Sequence, residues 1–183
     1  TPYEDLVATL QLPVTTDDVI NMAFDDASHD LLLLVNRSLK LASFSIDDSG
    51  QLGGSVQIDL AHLGIKDAEG MAVDSDTGYL YILDSGASQI VRAEIDDGIK
   101  VISKVNLEYL GNHRLRGIAI HPRRDTIFVA SPAEDTLFEL TKAGLLVQRY
   151  SLSALELVNS GAITFAPSAD LTDDPNMVHL YIA

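Results

Sequence analysis

Four short apolar runs recur along the chain: Met22-Ala23-Phe24-Asp25, Met71-Ala72-Val73-Asp74, Ile118-Ala119-Ile120-His121 and Ile163-Thr164-Phe165-Ala166. Their first residues, at 22, 71, 118 and 163, lie 49, 47 and 45 positions apart. Each run is small, apolar and uninterrupted, which predicts an innermost strand a buried on both faces. A turn-rich stretch follows each of the first three: residues 26–30, 75–78 and 122–125. A second apolar strand b then comes at Leu32–Val35, Leu80–Leu83, Ile127–Ala130 and Leu180–Ala183. Strand c, at Lys40–Ile46, Gln89–Ile95 and Thr136–Leu140, alternates more, with Ala42, Phe44 and Ile46 on one face of its first copy. The Asp/Gly stretches at residues 47–50 and 96–98 supply hairpin chemistry. Strand d is expected at Ser55–Ile58, Val101–Val105 and Leu145–Tyr150.

A fifth feature shares the period. Residues 59–63, 106–110 and 151–155 each open on Asp, Asn or Ser and place two leucines three apart, which predicts one docked helical turn. Leu12, Leu60, Leu107 and Leu152 repeat at 48, 47 and 45. A unit of about 45 residues with four strands, buried within and polar outside, predicts an all-β fold, a β-propeller of four-stranded antiparallel blades. A β-solenoid fits less well, because its rungs are about half as long and lack hairpins.

The blades are expected at approximately 20–62, 69–110, 116–155 and 161–183, the last cut short, with residues 6–12 as an outer strand of the closing blade. That is about 3.75 blades, read as part of a six-bladed ring that would need roughly 280 residues; a four-bladed ring lacking one strand is the alternative. An open arc leaves a blade face bare, so the remaining blades or a second copy are expected to complete the ring.

Composition narrows function without naming it. With 12 basic and 27 acidic residues the net charge is −15, which repels phosphate backbones and anionic membranes and suits cations or cationic partners. The longest apolar run, Leu31–Val35, is far too short to span a bilayer as a helix. There is no cysteine, so disulfides and thiol chemistry are excluded. No P-loop, dinucleotide fingerprint or Gly-x-Ser-x-Gly elbow occurs. His29, His62, His113, His121 and His179 show no zinc spacing.

The stretch Ala68-Glu69-Gly70-Met71-Ala72-Val73-Asp74, followed by Tyr79-Leu80-Tyr81-Ile82-Leu83-Asp84, resembles the blade motif of the SdiA-regulated family of exported bacterial propellers. That family is similar to phytase-like and NHL-repeat propellers. Residues 117–122 with Ile127-Phe128-Val129-Ala130 fit the same pattern. The resemblance covers essentially the whole chain but rests on fold-building residues. It implies an extracellular, cell-surface or periplasmic protein.

In such a fold the d-to-a and b-to-c connections share one rim around the channel. The candidate ligand-binding rim is Glu69 and Arg116 from the former, Asn36, Arg37, Asp84 and Ser131 from the latter, with His113 and Lys66 nearby. Glu69 and Asp84 could offer oxygen to Ca²⁺; no cofactor is required. Calcium-dependent lactonases look similar here, with a Glu-Gly pair heading an inner strand as a metal ligand. The equivalents of Glu69 in the other blades are Ile20, Arg116 and Gly161, none of which has an oxygen donor in its side chain. The competing reading pairs Glu69 with Arg116 or Lys66 to seal the channel. Asp74-Ser75-Asp76-Thr77-Gly78 opens like a calcium loop but lacks its later ligands, and equally reads as an Asp/Gly turn. Residues 167–176 form an acidic excursion, either a surface insertion or a partner or cation loop. Together these point to a non-catalytic binding or scaffolding module taking a protein or small molecule on its rim. The alternative is a Ca-dependent hydrolase acting on a phosphoric ester or lactone.

Overall fold

The computed structural model describes residues 19–35, 39–47, 50–96, 98–111, 114–155, 161–168, 170, 172–174 and 177–183. The outer strand expected at Leu6–Leu12 lies outside them. The described residues form β1 (Val19–Asp25), β2 (Asp30–Val35), β3 (Lys40–Ile46), β4 (Leu52–Asp59), β5 (Ala68–Val73), β6 (Leu80–Asp84) and β7 (Gln89–Asp96). They continue with β8 (Gly98–Asn106), β9 (Arg116–Ile120), β10 (Thr126–Ser131), β11 (Thr136–Thr141), β12 (Leu146–Ser151), β13 (Ile163–Pro167) and β14 (Val178–Ile182). β1–β4, β5–β8 and β9–β12 are three consecutive four-stranded antiparallel sheets, and β13–β14 is a fourth, two-stranded one. The first strands β1, β5, β9 and β13 are spatial neighbours in that order, so the sheets radiate from a common axis as the blades of a partial β-propeller.

Alternation along each strand explains how one sheet serves two neighbours. In β6, Leu80 and Ile82 face the first sheet, while Tyr81 and Leu83 face the third, and all five residues of the strand are buried. Three seams result. Leu32, Leu34 and Leu41 meet Met71, Ile82 and Val91 in the first. Tyr81, Leu83 and Ile90 meet Ile118, Val129 and Phe138 in the second. Ala119, Phe128 and Leu137 meet Ile163, with Phe165 and Leu180 partly buried beside them, in the third. Full burial of one such side chain is worth about 1.5–3 kcal/mol, so the seams dominate the stability of the arc.

Each seam is sealed by the predicted leucine turn. Leu60, Leu107 and Leu152 are buried in the first, second and third seams. Short 3-10 turns follow at Ala61–Leu63, Glu108–Leu110 and Ser153–Leu155. Asp59 Oδ1 accepts the Ala61 N–H at 2.8 Å and Asn106 Oδ1 the Glu108 N–H at 2.7 Å. The N–H groups of Leu60, Leu107 and Leu152 donate to the carbonyls of Leu39, Ser88 and Asp135 at 2.8, 2.7 and 2.6 Å. Those three residues, again 49 and 47 apart, are non-glycine residues at positive φ (45°, 46° and 47°).

Two expectations need correcting. Strand a is not buried on both faces in every blade: Ile20, Met22 and Phe24 of β1 are 36%, 70% and 46% exposed. In the second and third blades the most buried strand is b, because it has a hydrogen-bonded neighbour on each side and an apolar seam on each face. Strand d is also longer than expected in the first two blades, beginning at Leu52 and Gly98, where Ile46 pairs with Leu52 and Asp96 with Gly98.

Near the axis, inner strands approach through glycine. A Cβ on Gly70 would lie 3.1 Å from Gly117 Cα, and one on Gly117 would lie 2.8 Å from the Gly161 carbonyl oxygen. Gly117 also has φ +68°. Gly117→Ala is therefore expected to lose about 2 kcal/mol or more in urea unfolding, from left-handed strain and the contact together. Ser88→Gly relieves the strain at a repeated left-handed position and is expected to gain about 0.5 kcal/mol. Equal midpoints for the two variants would refute this account.

Candidate functional site

The rim is shaped by irregular pairing of the inner strands. β1, β5 and β9 each carry a register shift near the same end, leaving Ile20, Glu69 and Gly117 without a cross-strand partner in the ladder. Such a bulge re-aims the residue it frees. In β5 that residue is Glu69, whose carboxylate lies 3.7 Å from Arg116 Nε at the start of β9. The pair bridges two blades at the channel mouth, half-buried on the Glu69 side and open on the Arg116 side. Burial raises the Glu69 carboxyl above its ordinary value, the Asp67 charge adds to this, and Arg116 opposes both.

Asp84 ends β6 on the same rim but is fully buried and turned into the protein. Its Oδ1 accepts the N–H of Asp67 at 2.9 Å and of Ala87 at 3.3 Å. Its Oδ2 accepts the Lys66 N–H at 3.2 Å and the Gln89 side-chain amide at 2.9 Å. One carboxylate thus ties the connection before β5 to the 3-10 turn Ser85–Ala87 after β6. Lys66 contributes through its backbone N–H. The equivalent residue in the next blade is Ser131, also buried, whose hydroxyl has no hydrogen-bond partner among the described residues. Asn36, Arg37 and His113 lie outside the described residues.

A second carboxylate is consumed on the a-to-b side. Asp74 Oδ1 accepts the Asp76 N–H at 3.3 Å, while Oδ2 accepts from the Thr77 hydroxyl at 2.7 Å and from Lys142 Nζ at 2.6 Å. Lys142 comes from the next blade and also meets Asp125 at 2.9 Å. The ammonium thus stands where a cation would sit on the Asp-x-Asp-x-Gly turn, and it pins the second seam. Burial alone would raise the Asp74 carboxyl, but the Lys142 and Thr77 hydrogen bonds outweigh it and hold it below its ordinary value. Among the described residues no group of three or more His, Asp or Glu gathers closely enough to hold a metal ion.

What the concave side offers is apolar. A cavity of about 830 Å³ is lined by Ile20, Met22 and Phe24 of β1, Val73 of β5, Ile120 of β9 and Thr164 of β13, among others. Each inner strand is hydrogen-bonded to one neighbour in its sheet, so its other edge turns backbone donors and acceptors toward this space. The cavity was missed in the sequence because Met22 and Phe24 are indistinguishable there from core residues.

No family model matches the chain, and no curated protein matches it. Solved propellers do. A catalytically inactive virginiamycin B lyase from Staphylococcus aureus, solved with quinupristin, is 11% identical, with TM-score 0.60 over 94% of this chain and 51% of that one. The periplasmic gluconolactonase of Pseudomonas aeruginosa is 19% identical, with TM-score 0.51 over 71% and 38%. The Cps50 (Swd1) β-propeller domain of Myceliophteria thermophila is 11% identical, with TM-score 0.51 over 80% and 46%. The chain spans about half the length of these propellers or less. At such identities the likeness establishes the propeller fold, which enzymes and non-enzymatic propellers share, and it does not extend to the SdiA-regulated, phytase or NHL groups.

Lys142→Met leaves the Asp74 carboxylate buried without its cation and is expected to cost about 2–3 kcal/mol in urea unfolding at pH 7. A folded-state carboxyl held low contributes stability that is complete above the unfolded value, about 3.9, and is lost as pH falls through the folded one. Without Lys142, burial leaves the Asp74 carboxyl raised, so the variant should lose less stability than the parent as pH falls through this range, and the gap between the two should narrow. Coincident acid-unfolding curves would show that Lys142 does not control Asp74.

Proposed function

We propose that the chain is a non-catalytic binding or scaffolding propeller module of an exported or cell-surface bacterial protein, holding a protein or small-molecule ligand at the channel and its rim. The observation that carries this reading is the contrast between the engaged carboxylates and the open apolar cavity. Asp84 is saturated by four N–H donors, Glu69 lies against a guanidinium, and Asp74 is neutralised by an ammonium. None of the three is presented as a free base or nucleophile. The cavity of about 830 Å³ falls in the range of small-molecule sites, with apolar walls and few polar groups. The charge of −15 favours cationic over phosphate-bearing partners. Further blades, from the remainder of a longer chain or from a second copy, would complete the ring around the exposed Met22 and Phe24; the greater length of the matching propellers supports this.

The rival reading is a Ca-dependent hydrolase. Its proposed ligands Glu69 and Asp84 fit Ca²⁺ poorly, because the four donors on Asp84 occupy the positions a metal would need.

Two measurements separate the readings. Nile red, an uncharged apolar probe, should bind with a blue-shifted emission that Met22→Glu abolishes. Millimolar calcium should leave the thermal midpoints of the parent and of Glu69→Gln unchanged. A calcium-dependent rise in midpoint lost in Glu69→Gln, with calcium-dependent hydrolysis of an aryl phosphate or lactone, would overturn the binding-module reading.

A further inference from the structure

The residue that leaves the inner strand and opens the a-to-b turn is Asp25 in the first blade, Asp74 in the second and His121 in the third. All three do the same local work. Asp25 Oδ1 accepts the Ala27 N–H at 3.0 Å, and Asp74 Oδ1 accepts the Asp76 N–H at 3.3 Å. In the third blade the acceptor is an imidazole nitrogen: His121 Nδ1 accepts the N–H groups of Arg123 and Arg124, both at 3.1 Å. A backbone N–H can only donate, so Nδ1 carries the lone pair and the proton of the neutral ring is on Nε2. The same ring is held across the third seam, with centroids 4.8 Å from Phe165 of β13 and 6.3 Å from Phe128 of β10.

We propose that His121 is an acid-sensitive latch: protonation of Nδ1 in mildly acidic solution removes the acceptor of the turn at residues 122–125 and loosens the seam between the β9–β12 sheet and β13–β14. A protonated Nδ1 is a donor facing two donors, whereas a carboxylate such as Asp74 at the same place keeps acceptor oxygens for its turn.

Charged and titratable groups of the described residues face the ring from its own turn and from β11 and β12. Arg123 and Arg124 come from its own turn, Glu139 from β11 and Tyr150 from β12, while β13 presents the uncharged Phe165. Glu139 is itself engaged, accepting from the Tyr150 hydroxyl at 2.6 Å and lying 3.9 Å from Arg124. Burial pushes the imidazole below its ordinary value, the Arg124 charge adds to this, and Glu139 opposes both. The latch therefore holds at and above the ordinary histidine value, about 6.5, and its stability is lost as pH falls from there through the lower folded one.

The test compares urea unfolding of the parent and His121→Asn between pH 7.5 and 5. Asparagine keeps an acceptor at the Nδ1 position and does not titrate, and the other histidines are common to both chains. Below about pH 6.5 the unfolding constant of the parent should rise relative to the variant by up to tenfold per pH unit, the limit for one proton. His121→Asp, which copies Asp25 and Asp74, should be as flat as His121→Asn across this window. Parallel curves for all three would overturn the proposal. The parent alone supplies an independent readout through ¹⁵N NMR. Nδ1 should be unprotonated at pH 7.5, and the amide signals of Arg123, Arg124 and Phe165 should move together with one midpoint below 6.5. A protonated Nδ1 at pH 7.5, or immobile amides, would equally overturn it.

Discussion

Everything in this protein depends on face-to-face packing of one four-stranded sheet on the next. A single blade cannot bury its own faces, because a four-stranded sheet has two and needs apolar cover on both. The repeat resolves this by making each blade the cover for its neighbours. Leu80 and Ile82 of β6 belong to one seam, and Tyr81 and Leu83 to the next. The backbone is arranged to serve this packing. Leu60, Leu107 and Leu152 enter the three seams from turns pinned to Leu39, Ser88 and Asp135. The glycines near the axis let the inner strands come close enough for the outer side chains to mesh.

Polar groups are placed where the seams need direction rather than area. Apolar packing alone does not fix how one blade is rotated against another. The Lys142–Asp74 contact at 2.6 Å and the Arg116–Glu69 pair at 3.7 Å each join successive blades at defined points. Asp84 does the same within its blade, holding two connections with one carboxylate. The same economy explains why the residues with the strongest chemical potential are taken up structurally, and why the accessible concave side is left to Ile20, Met22 and Phe24.

Much of this was legible in the sequence, for a physical reason. Packing blade on blade forces a period, and a period can be seen without coordinates: the spacing of Met22, Met71, Ile118 and Ile163 located four inner strands, and Leu60, Leu107 and Leu152 located the seals. What was hidden depends on conformation or on partners distant in the chain. A positive φ at Leu39, Ser88 and Asp135 has no sequence signature when the residue is not glycine. Glu69 could be placed on the rim, but choosing between metal ligand and ion pair required knowing that Arg116 lies across the blade boundary. Asp84 looked like a free carboxylate because its four donors come from two connections and a neighbouring strand. Asp74 gave a correct turn, but the ammonium of Lys142, 68 positions away, could not be read from spacing.

The claim that the seams, rather than the individual sheets, are the units of stability is tested most directly by hydrogen exchange on Leu107→Ala. Leu107 is fully buried in the seam between the second and third sheets, and its truncation should cost about 2–5 kcal/mol. If the seam is the cooperative unit, amide protection should fall on both sides of it, in β6 and β7 as well as in β9 and β10, while β2 and β3 lose less. Loss confined to β7 and β8, the strands of the blade that Leu107 follows, with β9 and β10 still fully protected, would contradict the account.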